Sequence, residues 1–232
     1  MQAPVCAIVG VGPGNGAAFA RRFAKAGYAV ALLARHTTYT QALAADLPGA
    51  AAFACDATDP ASVERAFTAI TMSLGAPDVL IYNAGAGLFG NVEEIEVADF
   101  EAAWRLNAYG ALLASRAVIP SMKKAGKGAI LFIGATASRR GGANFAAFAP
   151  AKAAQKSLAE SMARHLGPQG IHVALLMIDG VVATSGKERD ASGGGPVYVR
   201  PVDVARVALQ VVRQSPSTWV FDMEVRPFAE KW

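Results

Sequence analysis

Cysteine is nearly absent: Cys6 and Cys55 are the only two, too few for a disulfide framework or a zinc site, and they suit a reducing compartment. Charge is also scarce. Asp, Glu, Lys and Arg make up 17% of the chain, and the net charge of +4 comes without a long basic run. The pairs Arg21-Arg22, Lys123-Lys124 and Arg139-Arg140 stand apart and are not interleaved with aromatics, so nucleic acid is not an expected partner. No apolar stretch reaches bilayer length, no GxSxG elbow marks a Ser-His-Asp hydrolase, and no repeat recurs at a fixed period. The N-terminus runs straight into Val5-Cys6-Ala7-Ile8-Val9 with no basic leader. These absences lead us to expect a cytoplasmic protein with no membrane partner and no metal.

What the chain does have is apolar content. At 53% hydrophobic over 232 residues it can bury a full core, and residues 1–232 read as one domain. Short apolar runs alternate with longer helical patterns throughout. Strands are predicted near Cys6–Gly10, Ala29–Ala34, Ala51–Cys55, Val79–Tyr82, Ala129–Gly134, His172–Ile178 and Trp219–Val225. Helices are predicted near Asn15–Ala26, Tyr39–Asp46, Ala61–Leu74, Val97–Ala125, Phe145–Leu166 and Val202–Arg213. The alternation implies an α/β fold, Rossmann-like and doubly wound, with a seven-stranded, mostly parallel sheet and helices on both faces. The stretch Thr184–Arg200, rich in glycine and charge, reads as a loop at the carboxyl edge of that sheet.

Directly after the first strand come Gly10-Val11-Gly12-Pro13-Gly14-Asn15-Gly16 and then a helical run. A tight strand-to-helix turn lacking side chains lets a pyrophosphate approach the amides at the positive end of a helix. Together with several further segments, this turn makes the sequence resemble the short-chain dehydrogenase/reductase family over essentially its whole length. Cys55-Asp56-Ala57 is similar to the family's adenine-side aspartate segment, Asn83-Ala84-Gly85 to its structural motif, with Tyr82 where a second asparagine is common, and Asn107 to its helix asparagine. Lys152 is similar to its lysine, and Gly180-Val181-Val182-Ala183-Thr184 to its nicotinamide-side segment, with Asp179 in the usual place of proline. The second strand ends in Leu33-Ala34-Arg35-His36, with no acid and a guanidinium suited to a 2′-phosphate, which favours NADP(H) over NAD(H).

The resemblance implies a catalytic serine, tyrosine and lysine. Four residues before Lys152 stands Phe148, and Ala135 falls on the serine position, so both hydroxyls are missing. A phenyl ring donates no proton, and loss of a positioned acid costs about 10²–10⁴ in rate. Thr136, Ser138, Asn144, Asp179 and Tyr198 are candidate replacement donors, and Leu88, Phe89, Phe145 and Phe148 are candidate apolar lining. Two functions follow: an NADP(H)-dependent oxidoreductase acting on a small carbonyl, alcohol or activated alkene, or a catalytically silent NADP(H)-binding protein. A homo-oligomer, dimer or tetramer, is expected because the last strand reaches a sheet edge.

Overall fold

In the computed structural model, residues 3–183 and 198–228 are described. Most of the predicted loop Thr184–Arg200, Thr184 included, lies outside them. The element order is β1 (Val5–Val9), α1 (Asn15–Lys25), β2 (Ala29–Ala34), α2 (Thr38–Ala45), β3 (Ala50–Ala54), α3 (Pro60–Ser73), β4 (Val79–Tyr82), α4 (Val97–Trp104), α5 (Gly110–Ala125), β5 (Gly128–Ala135), α6 (Phe148–Leu166), β6 (Ile171–Ile178), α7 (Pro201–Val212) and β7 (Asp222–Val225). All seven strands join one sheet in the order β3-β2-β1-β4-β5-β6-β7, and every pair is parallel. The expectation of a mostly parallel sheet is met in full.

Central strands of such a sheet are covered on both faces, so they are apolar runs, as Val5–Val9 is throughout and Ile171–Ile178 is apart from His172 near its start. One face packs Val9, Leu80, Phe132 and Leu175 under α3, α5 and α6. The other packs Ile8, Leu32, Leu131 and Leu176 under α1, α2 and α7, with Phe19 and Phe23 of α1 fully buried. The strand order reverses direction between β1 and β4, which opens a crevice at their carboxyl ends. Helix starts follow local chemistry. At α3, Asp59 accepts from the amides of Ala61 and Ser62, both at 3.1 Å, and Pro60 occupies the first turn.

Three predicted elements differ by more than a single residue at their ends. The single helix Val97–Ala125 is interrupted by a π-helical turn at Arg105–Tyr109. Tyr82, fully buried at the end of β4, donates its hydroxyl to the Leu106 carbonyl in that turn. Gly110 makes room for it, since a Cβ there would lie 2.4 Å from the Tyr82 oxygen and 2.7 Å from the Ala57 carbonyl. The last strand begins at Asp222 and not Trp219, because Trp219 and Val220 bond back to Gln214, through Nε1 to its carbonyl and through the Val220 amide to its side chain. Helix α6 begins at Phe148 and not Phe145, whose neighbours pair with Gly90 through Gly90 N–H to Asn144 O and Ala146 N–H to Gly90 O.

Gly110→Ala is expected to destabilise the protein by about 1–3 kcal/mol through overpacking against Tyr82 and Ala57. Urea denaturation measures it. An unchanged midpoint would mean that the π turn does not depend on this close approach.

Candidate functional site

The turn after β1 is held by contacts that glycine alone permits. Gly10 has φ +89°, and a Cβ on it would sit 2.5 Å from the Ala84 backbone. A Cβ on Gly16 would meet Val11 Cα at 2.7 Å. Asn83 donates from Nδ2 to the Gly10 carbonyl at 2.7 Å, tying the turn after β4 to the turn after β1. By contrast, Cβ atoms on Gly12 and Gly14 would meet nothing within 4 Å, so these two border open space. Helix α1 has no side-chain cap and no acidic residue in its first turn, and the buried Asn15 Oδ1 has no hydrogen-bond partner. Donors at the positive end of a helix thus face a cleft.

That cleft is a cavity of about 490 Å³. Gly10, Gly12, Gly14, Asn15, Gly16, Arg35, His36, Ala57, Asn83, Ala84 and Gly85, all expected at a cofactor site, line it together. Asp56 does not. Its carboxylate accepts from the Thr58 amide at 2.9 Å and hydroxyl at 2.8 Å, while the flanking Cys55 and Ala57 line the wall. Those Thr58 bonds, with Arg35 a smaller contributor, hold the Asp56 carboxyl below its usual pKa. Leu106, on the π turn, is a lining residue that the sequence reading missed.

At the inner end of the cavity, Gly85 separates it from a buried polar cluster. A Cβ on Gly85 would lie 2.9 Å from Asn107 Oδ1 and 3.4 Å from Lys152 Nζ. Asn107 is fully buried, donates to the Ala103 carbonyl at 2.9 Å, and leaves Oδ1 without a partner among the described residues. Lys152, 6% exposed, donates to the Ile133 carbonyl at 2.9 Å and to Gln155 Oε1 at 3.1 Å. Burial alone brings its pKa down to about 8. Gln155, fully buried, is a second residue that the sequence reading missed; the signal was an amide one helical turn from Lys152 on the core face of α6.

Ala135 ends β5, and Phe148 opens α6 one turn before Lys152. The Phe148 ring packs with Phe89 at 5.7 Å and Phe145 at 6.2 Å, and those two lie 5.3 Å apart. Phe89 is 62% exposed, so the trio forms an open apolar wall. Leu88 instead packs with Ile95 against Ala103, Ala147 and Ala151.

The candidate donors fare unequally. Thr136 gives its hydroxyl proton to Asp179 Oδ1 at 2.6 Å, and Arg226 pairs with the other oxygen of that carboxylate, so Thr136 and Asp179 satisfy each other. The Thr136 and Arg226 contacts hold the Asp179 pKa low against the opposing effect of burial. Asn144 is exposed and Tyr198 half-buried, whereas the buried Ser138 hydroxyl has no partner among the described residues. Gly180, with φ +141°, and Val182, bridged to Val199, lie beyond β6 and do not line the cavity. Among the described residues no group of His, Cys, Asp and Glu could hold a metal, and no helix is long and apolar enough to cross a membrane.

A parallel sheet with a glycine turn and a cleft at its switch point defines a dinucleotide-fold protein. Residues 4–192 match the model of the short chain dehydrogenase family, and the chain belongs to that family. It is 35% identical to an "Inactive 2-(S)-hydroxypropyl-CoM dehydrogenase 2" of Xanthobacter autotrophicus over 176 residues, 75% of this chain and 76% of that one. A short-chain dehydrogenase structure from Rhodopseudomonas palustris superposes with a TM-score of 0.85 at 32% identity, covering 97% of this chain and 99% of that one. A metagenomic short-chain oxidoreductase, solved in complex with NADP, superposes with a TM-score of 0.85 at 27% identity, covering 97% of each.

Since Lys152 titrates near pH 8 when folded and near about 10.4 when unfolded, the unfolded chain binds the extra proton between these values. Its contribution to stability therefore rises with pH across that window, by up to about 3 kcal/mol. Chemical denaturation of wild type and Lys152→Met against pH checks this: the difference between them should grow from pH 8 upwards, and a flat difference would contradict it.

Proposed function

We propose that this chain is an NADP(H)-dependent oxidoreductase acting on a small carbonyl, alcohol or activated alkene, with its proton-donating end rebuilt. One observation carries the reading: a cleft shaped by glycines runs from Arg35 and His36 at one end to Gly85 at the other, with Asn107 and Lys152 buried directly behind Gly85. The residues fit the cofactor. The open faces of Gly12 and Gly14 and the uncapped α1 terminus suit a pyrophosphate. Arg35 suits a 2′-phosphate, and Ala57, Asn83 and Ala84 flank the path between. Gly180, Val182 and Thr184 are proposed to close over the nicotinamide end, and Asp56 to meet the adenine side from behind its Asx turn.

When bound, the reduced cofactor supplies hydride. The protein's part is to hold it, exclude water with the phenylalanine wall, and present Lys152 and Asn107 to the reacting end. Phe148 and Ala135 take no part in proton transfer, which favours a second reading, a catalytically silent NADP(H)-binding protein. A screen of NADPH oxidation against aldehydes, ketones and enones separates the two: tight binding without turnover supports the silent protein. We further propose one domain that forms a homo-oligomer, dimer or tetramer, through the β7 edge; sedimentation showing only monomer at micromolar concentration would contradict that.

Arg35→Ala is expected to weaken NADPH binding about tenfold or more and leave NADH nearly unchanged, as measured by calorimetry. Equal losses would assign Arg35 to the fold. Phe148→Tyr is expected to raise carbonyl reduction, and Ala135→Ser with Phe148→Tyr to exceed the product of the single effects, because both groups would act on one oxygen. No change in either variant, with NADPH still bound, would contradict the carbonyl reading.

A further inference from the structure

Lys152 is buried without a counter-ion among the described residues, and the way it is held bears on the missing proton donor. An ammonium has three N–H groups. Two are accounted for, one on the Ile133 carbonyl of β5 at 2.9 Å and one on Gln155 Oε1 at 3.1 Å. Gln155 in turn donates from Nε2 to the Asn107 carbonyl at 2.9 Å, so its amide has a partner at each end and bridges α6 to the π turn. The third N–H has no hydrogen-bond partner among the described residues, and Nζ lies directly behind Gly85, the residue that borders the cleft. Every group facing Nζ is neutral: the Ile133 carbonyl of β5, Asn107 of the π turn, Gly85 after β4 and Gln155 of α6 itself.

We propose that Gln155 is the positioning residue that makes Lys152 the proton donor of this site, a neutral amide that fixes the ammonium without neutralising it. The inference rests on the carbonyl-reduction reading above. Reduction puts a hydride from the bound NADPH on the carbonyl carbon while the C=O π pair moves to oxygen. Lys152 gives that oxygen a proton from Nζ, is left as a neutral amine, and takes a proton from water before the next turnover. A carboxylate at position 155 would hold the ammonium more tightly and resist this transfer. An apolar side chain would leave the Asn107 carbonyl unpaired and Nζ one acceptor short. Burial sets the donor's pKa at about 8, so it is charged at neutral pH and gives up its proton readily.

The test is NMR of ε-carbon-labelled lysine in the full chain against pH, with Lys152 assigned by the signal lost in Lys152→Met. The wild-type midpoint is expected near 8. Gln155→Glu should raise it by about one pH unit or more, and Gln155→Leu should lower it. Because the protonated form is the donor, NADPH-dependent carbonyl reduction should fall as pH rises through the midpoint, and this alkaline limb should move with the midpoint in both variants. If Gln155→Leu fails to fold, Gln155→Glu decides alone. A midpoint unmoved by Gln155→Glu overturns the positioning role, and an alkaline limb that stays while the midpoint moves overturns the donor role. The NMR arm needs no turnover. A shifted midpoint in a protein that binds NADPH yet reduces no carbonyl upholds the positioning role and overturns both the donor role and the reductase reading.

Discussion

The structure depends on one close approach, the backbone contact between the turns that follow β1 and β4. A Cβ on Gly10 would overlap Ala84 at 2.5 Å, and Asn83 locks the pair by a hydrogen bond to the Gly10 carbonyl. These strands flank the point where the sheet order reverses, so their contact fixes the floor of the cleft. It also sets Gly85 against Asn107 and Lys152, which links the glycine-lined part of the cavity to the buried lysine and amides behind it. Tyr82 extends the arrangement inward, because its hydroxyl holds the π turn that carries Asn107.

The two ends of the cleft obey different constraints. At the outer end, glycine backbone and the exposed Arg35 guanidinium leave space and positive potential, a setting that makes little demand on exact side-chain placement. At the inner end, buried polar groups must each find a partner or bear the cost of desolvation. Lys152 and Gln155 satisfy each other, whereas Asn107 Oδ1 and the Ser138 hydroxyl have no partner among the described residues. Absence of hydroxyls at Ala135 and Phe148 is thus set in a site that keeps its polar floor, beside an apolar wall of three phenylalanines.

Much of this was legible in the sequence, for physical reasons. Strands buried on both faces are continuous apolar runs, and the glycine turn sits between a strand and a helix, so the lining residues Gly10 to Gly16 followed from local pattern, whereas Ala57 and Asn83 to Gly85 followed from the family resemblance. What was illegible depends on distant partners. The π turn exists because Tyr82 reaches under Gly110, and β7 starts late because Gln214 captures the backbone near Trp219. Gln155 reads as an ordinary helical residue until Lys152 and Asn107 are seen on either side of it. Asp56 lies where the segment predicts, yet its side chain is spent on Thr58.

The central claim is that this cleft delivers hydride to a carbonyl with Lys152 as the proton-donating floor. The most direct measurement mixes the protein with NADPH deuterated at the transferred position and a panel of aldehydes and ketones, and follows deuterium into the alcohol by mass spectrometry. The account predicts labelled alcohol from wild type, and its loss in Lys152→Met under conditions where that variant is saturated with NADPH. Unlabelled products from a wild-type protein that holds NADPH tightly, or label that survives in Lys152→Met, would contradict it.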